Sequence, residues 1–201
     1  MKVTQIKPQV KRSDRFSIFI DNKYSFSLSD IELTNLKLRV GQDLTEKELT
    51  ELNEESIFSN AKNACFRLLS YRARSTGEII DYLKRKKYND DLSNRLVEYL
   101  TKNEFLNDEK FCNQWVDNRL QLRHASLTQI KHELRQKKIS SSIIDKVLAE
   151  KSVNEVETIR DLIVKKRTLS KYQDDTKLMQ YLSRKGFGYN EIMVALGKRA
   201  E

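Results

Sequence analysis

The chain has 201 residues, one third of them charged and 38% hydrophobic, with a single Pro and five Gly; that is enough for one or two domains with a proper core and suits a surface-rich helical protein with short turns. There is no run of 18 apolar residues, and Met1-Lys2-Val3 leads straight into polar sequence, so neither a membrane span nor a secretory segment is expected and a cytoplasmic protein is. The formal charge of +9 is unevenly shared: residues 1 to 60 hold 9 basic and 10 acidic side chains, residues 61 to 201 hold 29 and 19, so the basicity belongs to the second part. It points to a polyanion, nucleic acid first, or to a protein already wrapped on one; a solvated surface is the alternative.

From Met1 to about Leu28 the pattern has period two. Phe16, Ile18, Ile20 and then Tyr24, Phe26, Leu28 alternate with polar residues around Asp21-Asn22-Lys23, which predicts a hairpin and, with VTQIK before it, a small antiparallel sheet. Its aromatics could stack on bases, but a half-buried sheet explains them. Ser29-Asp30 caps a short helix with Ile31, Leu33 and Leu36; Gly41 closes a turn; an acidic helix runs from Thr45. The boundary is expected between Asn53 and Ser59, where the charge changes sign.

From there the chain repeats itself. Leu83 aligns with Leu134 51 residues on and with Leu182 48 further. The central helices then begin at equivalent caps, Ser75, Ser126 and Asp174, with Glu78 and Gln129 completing a reciprocal capping box in the first two copies. Ile79, Ile130 and Leu178 share the inward face with the three leucines. A period near 50 residues predicts stacked three-helix units: helices at about 58 to 72, 76 to 87 and 90 to 102; 108 to 123, 127 to 138 and 142 to 150; 154 to 167, 175 to 185 and 190 to 198. The fold expected is mainly α: three tandem three-helix, helix-turn-helix-like repeats after a small N-terminal β-hairpin and helix extension. The domains expected are 1–56, 57–107, 108–153 and 154–201. Gly186 suits the left-handed position after the third central helix, which Lys87 and Lys138 would adopt at a cost of about 1 kcal/mol. Thr168 to Asp175 is the longest interruption and the stretch expected to be most mobile.

The residues carry no catalytic constellation. Neither a GxxxxGK[ST] nor a GxGxxG loop is present. His124 and His132 lack metal-ligand spacing and read as surface residues. Asp90-Asp91 and Asp108-Glu109 stand at helix starts, where exposed N–H groups favour carboxylates, so capping explains them better than acid–base chemistry. Cys65 and Cys112 lack CxxC spacing and read as buried thiols. Trp115, at helical spacing with Phe111, is read as core before ligand platform. Neither a cofactor nor a metal is expected.

Two columns of the repeat are basic in all copies: Arg72, Arg123 and Lys171 before the cap, and Lys86, Lys137 and Lys185 at the end of the central helix. A third reads Arg85, Gln136, Arg184. Regular spacing of cations could track a phosphate backbone or an acidic groove; equally, cations in a last helical turn gain about 0.3 to 1 kcal/mol from the macrodipole. Arg74, Lys84, Lys131, Arg135 and Lys138 are harder to explain by helix ends, and the last three fall at i, i+4 and i+7 of one helix.

The segments LLSYRARSTGEIIDYLKRKKY, EFLNDEKFCNQWVDNRL, IKHELRQKKI and YLSRKGF resemble the RecX family of RecA regulators, over about residues 57 to 201. Ala64, Leu68, Leu69, Arg72, Arg74, Ser75, Glu78, Leu83, Leu106, Asp108, Phe111, Leu134, Leu182, Lys185 and Gly186 take family positions, and IFIDNKYSF is similar to the extension of Gram-positive-type members. Lys87 and Lys138 replace a family glycine, and RHASLTQI lacks the glycine often found before the second central helix. The resemblance implies a non-enzymatic regulator whose curved, elongated repeat array lies in the groove of the RecA filament on single-stranded DNA. There it would inhibit recombinase, ATPase and coprotease activity in DNA repair and the SOS response; nothing in the residues suggests more than a monomer. The contact set expected is Arg72, Arg74, Lys84, Arg85, Lys86, Arg123, Lys131, Arg135, Lys137, Lys138, Arg184 and Lys185. Two rivals are a free-standing helix-turn-helix DNA-binding protein with no protein partner, and a helical scaffold indifferent to DNA.

Overall fold

A computed structural model describes residues 1–10, 12–151 and 153–198; the side chains of Arg12, Ser13 and Arg123 lie outside the described set. The chain divides into two compact units, Met1–Ser70 and Tyr71–Glu201.

The first unit opens with the antiparallel sheet expected from the alternation, in the order β1 (Val3–Gln9), β2 (Arg12–Ile20), β3 (Lys23–Ser29). Ile20 pairs with Lys23 across a two-residue turn in which Asp21 and Asn22 both have positive φ, 47° and 64°. That backbone matches the twist of a hairpin and is tolerated best by short polar side chains. Val3, Ile18, Ile20, Phe26 and Leu28 form one buried face with Leu38 and Leu44. Ser29 caps α1 (Asp30–Asn35) in a reciprocal box with Glu32. Sequence periodicity gave no sign that Arg15 would be only 3% exposed; its guanidinium donates to the carbonyl and hydroxyl of Ser27 at 2.9 and 3.0 Å, which satisfies a charge that burial would otherwise disfavour.

The acidic helix expected from Thr45 and the first repeat helix expected from residue 58 are one helix, α2 (Glu46–Tyr71), 26 residues long. A change of charge sign between Asn53 and Ser59 does not break a helix, because that stretch contains neither Gly nor Pro. Ser56 lies in its middle and donates its hydroxyl to the Ser27 carbonyl at 2.7 Å.

The second unit contains the helices expected from the repeats: α3 (Thr76–Arg85), α4 (Asp90–Lys102), α5 (Asp108–Arg123), α6 (Leu127–Gln136), α7 (Ser141–Glu150), α8 (Glu155–Arg167), α9 (Asp175–Arg184) and α10 (Tyr189–Ala195). The aligned apolar positions Ile79, Leu83, Ile130, Leu134, Leu178 and Leu182 are fully buried. Ile130 and Leu134 centre a cluster with Cys112, Val116, Ile144 and Val147; Leu178 and Leu182 centre another with Ile159, Phe187 and Ile192. Lys87, Lys138 and Gly186 all take the left-handed conformation, φ 61°, 60° and 85°, so the turn geometry survives loss of the glycine in two copies. The interruption before α9 holds a 3-10 turn, Ser170–Tyr172. Tyr172 packs on Tyr181 with ring centroids 5.3 Å apart, and Arg167 pairs with Asp175 across it.

Candidate functional site

The three expected caps are all present: Ser75 accepts from the Glu78 N–H, Ser126 from the Gln129 N–H and Asp174 from the Thr176 N–H. Only the first is a reciprocal box. Gln129 turns its amide to Glu133 at 3.0 Å instead, so the box expected in the second copy is half made.

Each serine cap also has a second function. Ser75 Oγ donates to the carbonyl of Lys137 at 2.6 Å, and Ser126 Oγ to the carbonyl of Lys185 at 2.7 Å. Lys137 and Lys185 are the C-caps of α6 and α9. Thus the starts of α3 and α6 meet the ends of α6 and α9, and at each joint the two helix dipoles run head to tail. A carboxylate from the following repeat closes each joint: Asp108 accepts from the Thr76 N–H and Glu155 from the Leu127 N–H, both at 2.8 Å.

The two joints solve one steric problem in opposite ways. A Cβ on Gly77 would overlap Lys138 Cβ, while a Cβ on Gly186 would lie 2.8 Å from Ser126 Oγ and 3.3 Å from Thr128 Cβ. Positions 77 and 128 are equivalent, as are 138 and 186. One side of each joint is glycine, so the lysine that replaces glycine at 138 is accommodated by the glycine at 77.

Charge separates the joints further. In the first, Lys137 Nζ reaches Glu78 at 3.1 Å and Lys138 Nζ reaches Asp81 at 2.5 Å. Arg72 clamps the same Glu78 at 2.7 Å. Burial raises the Glu78 pKa, but hydrogen bonds from Arg72, Lys137 and the Ser75 N–H outweigh it and hold the carboxyl at about 2. Lys137 also lies 4.3 Å from the Trp115 ring, with Arg119 at 4.3 Å from the same ring. Glu133 accepts from Trp115 Nε1 at 2.9 Å and from Arg119 at 2.5 Å. Trp115 is therefore a partly buried member of the joint with cations on its ring. In the second joint Gln129 and His132 stand where Glu78 and Asp81 stand in the first, and Lys185 makes no ion pair among the described residues.

These contacts sort the predicted basic residues. Arg72, Lys137 and Lys138 are held by the first joint, and Lys131 reaches Asp145 at 2.9 Å. Lys131, Arg135 and Lys138 do not all lie on one helix as expected: α6 ends at Gln136, and Lys138 follows it in the left-handed conformation. Arg74 is half-buried, its Nε without a hydrogen-bond partner. Lys84, Arg85, Lys86, Arg135 and Arg184 are exposed and make no ion pair among the described residues, as does half-buried Lys185. For Arg123, the last residue of α5, the side chain lies outside the described set. The missed participants are Glu78, Asp81 and Gly77. The repeat alignment marks all three, because their equivalents in the second copy, Gln129, His132 and Thr128, differ in charge or size.

The remaining reactive groups are structural. Burial pushes the Cys65 and Cys112 thiols up to about 11. Asp90 and Asp108 begin helices, and Glu109 pairs with Lys146 at 2.8 Å. His124 is the left-handed C-cap of α5, with Lys165 2.7 Å from its Nε2. No group of three metal-ligating side chains occurs among the described residues, nor a helix long and apolar enough to cross a membrane.

Comparison with known proteins agrees with this architecture. The regulatory protein RecX N-terminal domain matches residues 1–45, the RecX first three-helix domain residues 61–100 and the RecX second three-helix domain residues 107–148, together well over half of the chain. The regulatory protein RecX of Bacillus subtilis is 29% identical over 199 residues, which cover 96% of this chain and 75% of that protein. That of Clostridium acetobutylicum is 29% identical over 199 residues, covering 94% and 92%. A crystal structure of a regulatory protein RecX superposes with a TM-score of 0.72 at 24% identity, covering 98% of this chain and 99% of that one. RecX from Lactobacillus salivarius gives 0.62 at 24% identity over 70% and 94%. With its hairpin extension and its jointed three-helix repeats, the chain belongs to the RecX family.

Proposed function

We propose that this chain regulates RecA by binding the RecA filament on single-stranded DNA through its repeats, and that it lowers recombinase, ATPase and coprotease activity there. The observation that carries the reading is the match of the regulatory-protein domains to both the hairpin and the repeats. It is supported by cations in the repeat register that make no ion pair among the described residues. The contacts are assigned to Lys84, Arg85, Lys86, Arg135, Arg184 and Lys185, the cations of the expected contact set at the ends of the central helices that make no ion pair among the described residues. A nucleoprotein filament offers a repeating negative surface to such positions. On this reading the chain is a cytoplasmic, monomeric, non-enzymatic regulator.

The test is single-stranded-DNA-dependent ATP hydrolysis by the cognate RecA, titrated with the chain and with a variant carrying Lys84→Ala, Arg85→Ala and Arg135→Ala. Inhibition at well below one chain per RecA, weakened about tenfold or more by the triple change, supports filament binding. Inhibition that begins only when the DNA is coated would instead favour a DNA-binding protein with no protein partner; unchanged hydrolysis would sink the proposal.

A further inference from the structure

The end of α3 duplicates the end of α6. Lys86 closes the first at φ −82°, ψ 1° and Lys137 the second at φ −84°, ψ 6°, followed by Lys87 and Lys138 at φ 61° and 60°. The turn hydrogen bonds match: Lys87 N–H to the Lys84 carbonyl and Lys138 N–H to the Arg135 carbonyl, both 2.9 Å, then Tyr88 to Leu83 at 3.2 Å and Ile139 to Leu134 at 3.1 Å. What differs is occupancy. The α6 end receives the Ser75 hydroxyl on its last carbonyl, the Glu78 and Asp81 carboxylates on its two lysines, and Gly77 against Lys138. At the end of α3 the four residues Lys84 to Lys87 are exposed and make no ion pair among the described residues.

We infer that the carboxyl end of α3 is a docking site for the start of an acidic, N-capped helix on a partner protein. That helix carries a serine cap, a glycine two residues on, and carboxylates three and six residues on. The occupant is read from the first joint, where the same lysine pair in the same backbone geometry holds such a start. The glycine is required because Lys87, like Lys138, presents a Cβ. Two other occupants fit less well. A phosphate would meet the Lys86 carbonyl and the negative end of the helix dipole, whereas a helix start brings its positive end to that point. A second copy would offer the start of α9, and this mismatches at each contact. Asp174 has no hydroxyl proton to give to a carbonyl, Thr176 adds a Cβ opposite that of Lys87, and Lys177 places a cation opposite Lys86. End-to-end chaining of copies through these repeats is thereby disfavoured. The inference rests on the reading that the chain acts on a protein partner, and it names what that partner presents.

The test uses the full chain and a labelled alanine-rich helical peptide opening Ser-Thr-Gly-Glu-Ile-Ile-Asp, followed by fluorescence anisotropy. Saturable binding is expected, weakened about tenfold or more when the peptide's Glu and Asp become Gln and Asn, and likewise by Lys86→Ala with Lys87→Ala in the chain. Replacing the peptide glycine by threonine is expected to abolish binding to the native chain and to restore it with Lys87→Gly. No binding, or binding indifferent to the peptide's carboxylates and to residue 87, would overturn the inference. So would a Lys86→Ala, Lys87→Ala chain that keeps the peptide but loses oligothymidylate, which would make phosphate the occupant. Absence of peptide binding by the native chain alongside its intact inhibition of RecA hydrolysis would sink this inference and leave the proposed function standing.

Discussion

The Ser75 hydroxyl takes part in two structures at once: it accepts from the Glu78 N–H within its own helix and donates to the Lys137 carbonyl of the next repeat at 2.6 Å. A cap that stabilises one helix is thus also a joint between two repeats. Its energetic weight should exceed that of an ordinary cap. Ser75→Ala is expected to cost about 2 kcal/mol, roughly 1 for the cap and 1 for the buried hydrogen bond. Asn89→Ala, which removes a cap that accepts from Leu92 alone, should cost about 1. Urea unfolding of the two variants checks this; equal losses would show that the bond across the joint contributes nothing.

Glycine at one side of each joint makes a reciprocal prediction. Gly77→Thr should destabilise by about 2 kcal/mol or more through overlap with Lys138, and Lys138→Gly in the same chain should recover most of that loss. Contacting positions couple by about 0.5 to 3 kcal/mol. A double variant no more stable than Gly77→Thr would mean that the overlap is relieved elsewhere.

The first joint should be acid-labile. Glu78 is held at about 2 in the folded chain against about 4.3 for an unstrained glutamate. A carboxyl with a depressed folded pKa contributes stability that is present above its unfolded value and lost as pH falls toward the folded one, so the loss belongs between about pH 4.5 and 2. It amounts to at most about 3 kcal/mol. The single Trp of the chain, Trp115, reports it, because Lys137 lies over its ring and opening the joint moves that cation. Glu78→Gln should flatten the fluorescence change across this range; an unaltered profile would assign the acid transition to other groups.

Stability and partner binding should separate among the lysines and arginines. Lys137→Ala removes an ion pair with a part-buried carboxylate and a cation from the indole, and is expected to cost about 1 to 3 kcal/mol. Arg135→Ala and Arg184→Ala remove exposed charges that make no ion pair among the described residues and should change stability by less than about 0.5 kcal/mol while weakening inhibition of RecA hydrolysis. Melting curves and ATPase titrations on the same variants decide; a large melting shift for Arg135→Ala would count against its assignment as a free contact.

The repeat period, the helix positions, the three caps, the inward Ile and Leu columns and the family were all legible in the residues. Each depends on short-range spacing: apolar residues every three or four positions must share a helix face, and a serine before a helical run can reach the orphan N–H groups of its own first turn. The left-handed turns at Lys87 and Lys138 were legible too, because alignment places them on Gly186. Which cations are free was not. Lys84 and Lys137 look alike in sequence, and they are told apart only by carboxylates from a neighbouring repeat: Glu78 stands 59 residues from Lys137 and nothing local announces the pairing. The burial of Arg15 against Ser27, twelve residues on, was hidden for the same reason, whereas the continuity of α2 was not, since the stretch from Asn53 to Ser59 holds neither Gly nor Pro. Local pattern specifies the helices and their faces; stacking one repeat on the next decides which charges and glycines meet, and so which surface is left for a partner.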